Sequence, residues 1–308
     1  MKLSIIVTCY NFERYIEQAI HSLLLATEGI ESEIIIIDDV STDKSAEILK
    51  NIKSDKIKLI LHEKNAGPRN SINEAFEIAT GKYICRFDGD DAWHPNFFKE
   101  SLAVLDNNPD IGLVYSDISI IGTNSEVTSA SGNIIRPDHL SNPDFEFIEI
   151  FKKYYIAAPS IIARREAWAL GFPVPLPYNA LDWYLSLKMS ERWKFYYINK
   201  PLASYRVHGT NMHTAQIYNK KEEEITVALF KDILDPSGTD SVIKNRIKSS
   251  TYLTLAEKYF GVDMFEDAKR CYKLSLQYDK SMFTRNHYKH YFGTLIGKKL
   301  YSFIKKIA

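Results

Sequence analysis

Over roughly its first 120 residues the chain alternates between two kinds of apolar segment. Short runs rich in β-branched residues occupy Leu3–Thr8, Glu33–Ile37, Ile57–Leu61, Tyr83–Phe87 and Gly112–Ile121, and each predicts a strand. The unbroken isoleucines of 34–37 predict a strand buried on both faces. Between the runs the period lengthens. Arg14–Leu25 places Ile16, Ala19, Ile20, Leu23 and Leu24 on one stripe, Asp43–Ile52 carries Ala46, Ile48 and Leu49, and Ser71–Ala79 carries Ile72, Ala75, Phe76 and Ala79. Strand and helix in alternation imply an α/β protein: a mostly parallel sheet flanked by helices. Ligands of such sheets bind beyond the carboxyl ends of the strands.

After Ile121 the alternation stops. Gly122–Asn142, rich in Ser, Thr, Asn and Gly, predicts a long loop or hairpin, and loops of that length in compact domains are often functional. Helical patterns follow at Phe145–Tyr155, Ala180–Arg192 and Ile217–Leu234, with strand-like pieces at Ser160–Ala163 and Phe195–Ile198. Asp235-Pro236-Ser237-Gly238 is the clearest break. It divides a domain over 1–234, with halves at 1–121 and 122–234, from a C-terminal helical region at 235–308. That region has helical patterns at Val242–Tyr259, Phe265–Tyr278 and Phe292–Ile307. Ala256, Tyr259, Gly261, Ala268, Tyr272 and Leu276 resemble one tetratricopeptide-type hairpin, but a solenoid needs about three units, so a helical appendage is expected.

The chain has 308 residues, with 39 Lys+Arg against 39 Asp+Glu and a hydrophobic fraction of 45%. This is a globular composition with no overall attraction to nucleic acid. From Lys280 onward, however, there are seven Lys or Arg and no acid. On a helical wheel Phe292, Ile296, Leu300, Phe303, Ile304 and Ile307 share an arc bordered by lysines, which suits either an anionic membrane interface or packing on the preceding helices. Cys9, Cys85 and Cys271 have no framework spacing, and the chain lacks both a signal-peptide core and an apolar run of about 18 residues. A cytoplasmic protein is expected, with a peripheral position on the inner face of the cell membrane as the alternative.

The strand ends carry the candidate chemistry. Thr8-Cys9-Tyr10-Asn11, Asp38-Asp39-Val40-Ser41-Thr42-Asp43, His62–Asn70 and Asp88-Gly89-Asp90-Asp91 would converge on one edge of the sheet. Carboxylates separated by a glycine suit a hard divalent cation shared with a diphosphate. These blocks, with Asn65-Ala66-Gly67-Pro68-Arg69-Asn70 and Gly81-Lys82-Tyr83-Ile84, stand in the order and spacing of the family 2 glycosyltransferases of GT-A fold, which the chain resembles strongly over about 1–120. Leu181-Asp182-Trp183 and Tyr205-Arg206-Val207-His208-Gly209-Thr210-Asn211 extend the resemblance to about 215. Val40 departs from it where glycine is common, and Leu181 where an acid is common.

The resemblance implies a nucleotide-sugar site made of Thr8, Tyr10, Asn11, Asp39, Arg69, Asp88, Gly89 and Arg206. It implies a nucleotide-binding half at 1–121 and an acceptor-binding half at 122–234. Asp39 would accept the N3–H of uracil, Thr8 and Tyr10 would line the base pocket, Arg69 would hold the diphosphate or the base, and Arg206 would either neutralise the leaving diphosphate or make a structural salt bridge. Asp90 and His208 would hold Mn2+ or Mg2+, and Asp182 would be the catalytic base, although an aspartate there also suits a helix N-cap. The implied activity is metal-dependent, inverting transfer of a hexosyl or N-acetylhexosaminyl group from a UDP-sugar to a saccharide or lipid-linked glycan hydroxyl, in surface polysaccharide or glycoconjugate synthesis. The alternatives are a sugar-phosphate nucleotidyltransferase and a non-catalytic saccharide-binding relative.

Overall fold

The computed structural model describes residues 2–178, 181–209, 218–297 and 301. Its sheet contains β1 (Leu3–Cys9), β2 (Ser32–Asp38), β3 (Ile57–Leu61), β4 (Tyr83–Asp88), β5 (Ala92–Trp93), β6 (Ile111–Ile121), β7 (Val127–Ser129), β8 (Ile161–Arg164) and β9 (Lys194–Arg206). The strand order is β3-β2-β1-β4-β8-β6-β9-β5, with β7 paired to β6. The first four strands are mutually parallel, as the alternation predicts. From β8 onward the sheet is mixed: β8 runs antiparallel to β4 and β6, and β5 antiparallel to β9.

The isoleucine run of β2 is almost wholly shielded from solvent, as are Ile5, Ile6 and Val7 of β1 beside it. The crossover helices are α1 (Ile16–Ala26), α2 (Ser45–Asn51) and α3 (Pro68–Ile78). α1 buries Ile16, Ala19, Ile20 and Leu23, the stripe expected from the sequence. α4 (Phe97–Asn107) follows β5, and its Phe97 and Phe98 pack with Trp93 at ring separations of 5.0 and 4.8 Å.

The polar stretch 122–142 begins as a hairpin through β7 and is then held to the sheet by a buried carboxylate. Asp117 accepts the backbone N–H groups of Gly132, Asn133 and Ile134. Further on, Glu146, fully buried, accepts from Arg136 Nε at 2.8 Å and from the Tyr155 and Tyr115 hydroxyls at 2.7 and 3.0 Å. α5 (Phe147–Lys152), α6 (Arg165–Trp168) and α7 (Leu181–Ser190) complete the helices before β9.

Contacts divide the chain into one unit of residues 1–147 and 155–210 and a second of 148–154 and 211–308. The expected boundary at 234 therefore lies inside the second unit. The reason is chemical: Glu223 in α8 (Lys221–Leu229) accepts from Tyr259 of α9 (Ser241–Gly261) at 2.9 Å and from Arg270 of α10 (Phe265–Tyr278) at 2.7 Å. α9 and α10 pack through Ala256, Tyr259, Ala268 and Tyr272, residues of the expected hairpin. α11 (Arg285–Ile296) starts seven residues before the predicted Phe292, capped by Thr284 and His287. Phe292 of the predicted arc is 56% exposed. Leu300, Phe303, Ile304 and Ile307 lie outside the described residues. Among those described, no helix is long and apolar enough to cross a membrane.

Candidate active site

Strand register brings the predicted strand ends together. Thr8 of β1 stands level with Ile37 of β2 and Asp88 of β4, and Asp39 N donates to Cys9 O at 2.9 Å. Gly89 N donates to Thr8 O at 3.2 Å. A side chain at Gly89 would begin 2.7 Å from Ile16 Cδ1 and 3.3 Å from Thr8 O, so protein atoms account for this glycine.

Asp39 is held by three protein donors. Oδ1 accepts from Ala66 N at 2.7 Å and His62 Nδ1 at 2.8 Å, and Oδ2 accepts from Gly67 N at 2.8 Å. Burial pushes the Asp39 carboxyl up, but these hydrogen bonds outweigh it and hold the group below the ordinary carboxylate range. His62 Nε2 in turn meets Glu74 Oε2 at 3.0 Å. Although burial opposes it, the two carboxylates raise the imidazole above its ordinary value. A carboxylate offers about four acceptor positions, so one remains on Asp39.

Two neighbouring residues adopt the left-handed region, Asn11 at φ 59° and Val40 at φ 64°. For Asn11 this is a common conformation, and its carboxamide oxygen accepts from Thr42 N at 2.8 Å. Asn11 thus ties the β1 end to the β2 end, and that oxygen already has a protein partner. Tyr10 beside it is 48% exposed. Arg69, in the first turn of α3, donates from Nη1 to Val174 O at 3.0 Å.

The carboxylates after β4 form a dense cluster around one buried cation. Arg86 donates from Nη2 to Asp88 Oδ1 at 2.6 Å and from Nη1 to Asp182 Oδ1 at 2.7 Å. Thr8 Oγ1 also donates to Asp88, at 3.2 Å. Asp88 is pushed up to about 6 by burial, with Arg86 opposing and Asp90 and Asp182 adding to the rise. Asp91 is driven well up by burial and by Asp90 and Asp88. The phenol of Tyr205 in β9 is also raised, first by burial and then by all four carboxylates. Asp182 forms no N-cap hydrogen bond among the described residues; its carboxylate is held by Arg86.

The predicted metal pair is brought together, with Asp90 Oδ2 and His208 Nε2 2.9 Å apart and the His208 ring stacked on Tyr15 at 5.1 Å. Among the described residues no group of three or more His, Cys, Asp or Glu is arranged to hold an ion. The donor set nevertheless fits a divalent cation, because a carboxylate oxygen and an imidazole lie amid excess negative charge. Such an ion would take its remaining ligands from a diphosphate and water.

Arg206 is fully buried, and its guanidinium donates to Asp90 O at 2.6 Å, Gly122 O at 2.9 Å and Gln18 Oε1 at 2.9 Å. Its charge lies 4.8 Å from the centre of the Tyr15 ring. Arg206 therefore clamps β9 to the turn after β4, the structural one of its two expected roles. Arg86 was not among the predicted site residues, and His62 entered only as the first residue of the His62–Asn70 strand end, without a role. Period-two alternation puts Arg86 on the same face of β4 as Asp88, and that was the available signal.

An uncharacterized glycosyltransferase of Haemophilus influenzae is 30% identical over 292 residues, covering 85% of this chain and 87% of that protein. The 1–349 fragment of S. aureus TarS, solved in complex with UDP-GlcNAc, matches with TM-score 0.59 and 16% identity over 95% of this chain and 91% of that one. The mannosyltransferase PcManGT of Pyrobaculum calidifontis, solved with GDP-Man and Mn2+, matches with TM-score 0.60 and 15% identity over 93% of this chain and 77% of that one. These likenesses establish the GT-A fold. The model of the family described as glycosyl transferase family 2 matches residues 4–168, more than half of the chain, and the chain belongs to that family.

Proposed function

We propose that this glycosyltransferase transfers a sugar from a UDP-sugar to a saccharide hydroxyl with inversion, and that Asp182 is the base. The observation that carries the reading is the state of Asp182: it is fixed through Oδ1 to Arg86, while Oδ2 has no protein partner among the described residues. A base needs such an oriented, available lone pair. The acceptor hydroxyl gives its proton to Oδ2 as its oxygen bonds to the anomeric carbon. The bond from that carbon to the diphosphate oxygen breaks, and its electron pair leaves with UDP.

Asp39, with one acceptor position remaining, reads the base N–H, and the exposed ring of Tyr10 supplies a stacking face. Arg69 provides positive charge toward the diphosphate. Asp90 and His208 would hold Mn2+ or Mg2+, whose charge, when bound, stabilises the leaving diphosphate. The complex of TarS with UDP-GlcNAc supports a UDP-sugar donor, and that of PcManGT with Mn2+ supports the cation.

The test is Asp182→Asn in a panel of UDP-N-acetylglucosamine, UDP-glucose and UDP-galactose with Mn2+. UDP affinity by calorimetry should stay within about threefold and UDP release should fall about 100-fold or more, the usual scale for a general base. Wild-type turnover in Asp182→Asn removes the assignment. Absence of turnover in the wild-type chain with every donor and saccharide acceptor favours a binding protein.

A further inference from the structure

We propose that Arg86 is the positioning residue of this transfer: one guanidinium, mounted on β4, fixes the base Asp182 and the donor-side carboxylate Asp88 relative to each other. The inference rests on the reading of Asp182 as the base. Arg86 is only 7% exposed and lies inside a strand paired on both sides, so its backbone is among the better fixed points of the site. Its two terminal nitrogens go to carboxylates from different elements, Asp88 at the end of the same strand and Asp182 in the first turn of α7. A planar fork spans two acceptors at fixed separation; an ammonium is a point charge on a flexible stem and cannot.

The hydrogen-bond pattern argues for a role beyond cohesion. Arg86 Nε is buried and has no hydrogen-bond partner. A buried ion pair contributes little to stability relative to an apolar replacement, and one with an unsatisfied N–H contributes less. Both contacts fall on Oδ1 atoms. On Asp182 this leaves Oδ2 for the acceptor proton, with the carboxylate unable to turn about its χ2 bond without losing the 2.7 Å contact. Asp88 Oδ1 is shared with Thr8 at the end of β1, so the same contact chain runs from the base pocket wall to the catalytic carboxylate. A base that rotates freely reaches the productive geometry only part of the time, and the loss appears in kcat, not in donor affinity.

The experiment measures UDP release from the same three UDP-sugars across pH 5–9 for Arg86→Lys, Arg86→Met and Asp182→Asn in the full chain. Arg86→Lys should lower kcat about tenfold with the donor KM within about twofold, and Arg86→Met should lower it about 100-fold. Should Arg86→Met fail to fold, Arg86→Lys decides. An unchanged kcat in Arg86→Lys, with Asp182→Asn inactive, overturns the role of Arg86 and leaves the base in place. So does a parallel fall of kcat and affinity that tracks a lowered melting temperature. A wild-type rate in Asp182→Asn instead overturns the base assignment and this inference with it.

Discussion

Replacing His62 by leucine tests whether the Asp39 end of the candidate site is held by ionic contacts. In the native protein the imidazole lies between Asp39 at 2.8 Å and Glu74 at 3.0 Å, with side-chain exposures of 8% for Asp39 and 48% for Glu74. The Asp39 contact is shielded from water and is worth about 1.5–3 kcal/mol as a hydrogen bond to a charged group. The Glu74 contact is screened and contributes about 0.2–1 kcal/mol. His62→Leu should therefore lose about 2–3 kcal/mol at pH 6, since Asp39 keeps its two backbone donors. The pH dependence has a definite sign. The folded value of His62 is raised above its unfolded value of about 6.5, so its contribution is complete below that pH and is lost as pH rises through the folded value. Between the two values wild-type stability falls by up to about 1.4 kcal/mol per pH unit, and His62→Leu lacks that slope. Urea denaturation of both proteins at pH 6 and pH 8.5 measures it. An equal loss at both pH values would show that the imidazole is not bound as a cation, and the argument would fail.

Val40→Gly should raise the melting temperature by about 1–3 °C: relief of a left-handed β-branched residue, about 1–2 kcal/mol, exceeds the added chain entropy of glycine, about 0.5–1 kcal/mol. A melting temperature lowered by scanning fluorimetry would mean that Val40 packing outweighs its backbone conformation. Arg206→Lys should cost about 3 kcal/mol, because a buried fork with carbonyl and side-chain acceptors is replaced by one ammonium, and should lower the melting temperature by about 6–12 °C. Weakened UDP binding at an unchanged melting temperature would return Arg206 to the diphosphate.

The parallel half of the sheet was legible because buried parallel strands are written as near-continuous apolar runs, and β1 to β4 begin and end within two residues of those runs. α4 was not read, although Phe97, Phe98, Leu102 and Leu105 line its buried side; it follows the acidic block after a two-residue strand too short to register. The convergence of the strand ends was legible, as for Thr8, Asp39 and Asp88. What each residue touches was not. Arg86 meets Asp182 across 96 positions and Arg206 meets Gln18 across 188, so nothing local distinguishes an arginine that orients a base from one that clamps a strand. Chemical type left two roles open at Arg206, since a guanidinium near phosphate-binding motifs resembles a ligand until its acceptors are known.

The cluster itself leads to one more expectation. Asp88 and Asp182 share the one guanidinium of Arg86, and burial first, then the charges of Asp90 and Asp182, push Asp88 up to about 6 against it. A carboxyl raised in the folded protein adds stability that is complete below its unfolded value of about 3.9 and is lost as pH climbs through about 6. At neutral pH the cluster thus opposes folding, and a divalent cation at Asp90 and His208 would supply the positive charge that protons supply in acid. Saturating Mn2+ at about 100 times its dissociation constant should stabilise the protein by about 2.7 kcal/mol at pH 7.5, a rise in melting temperature of about 5–10 °C. At pH 5.5 the rise should shrink, because a proton on Asp88 already offsets part of the charge that the cation would neutralise. Asp90→Asn should abolish the response to Mn2+ and melt at or above the metal-free wild type, since it removes one repelling charge. An equal Mn2+ response in Asp90→Asn would mean that the ion binds elsewhere, and a metal response that grows toward pH 5.5 would mean that the charge argument has the wrong sign.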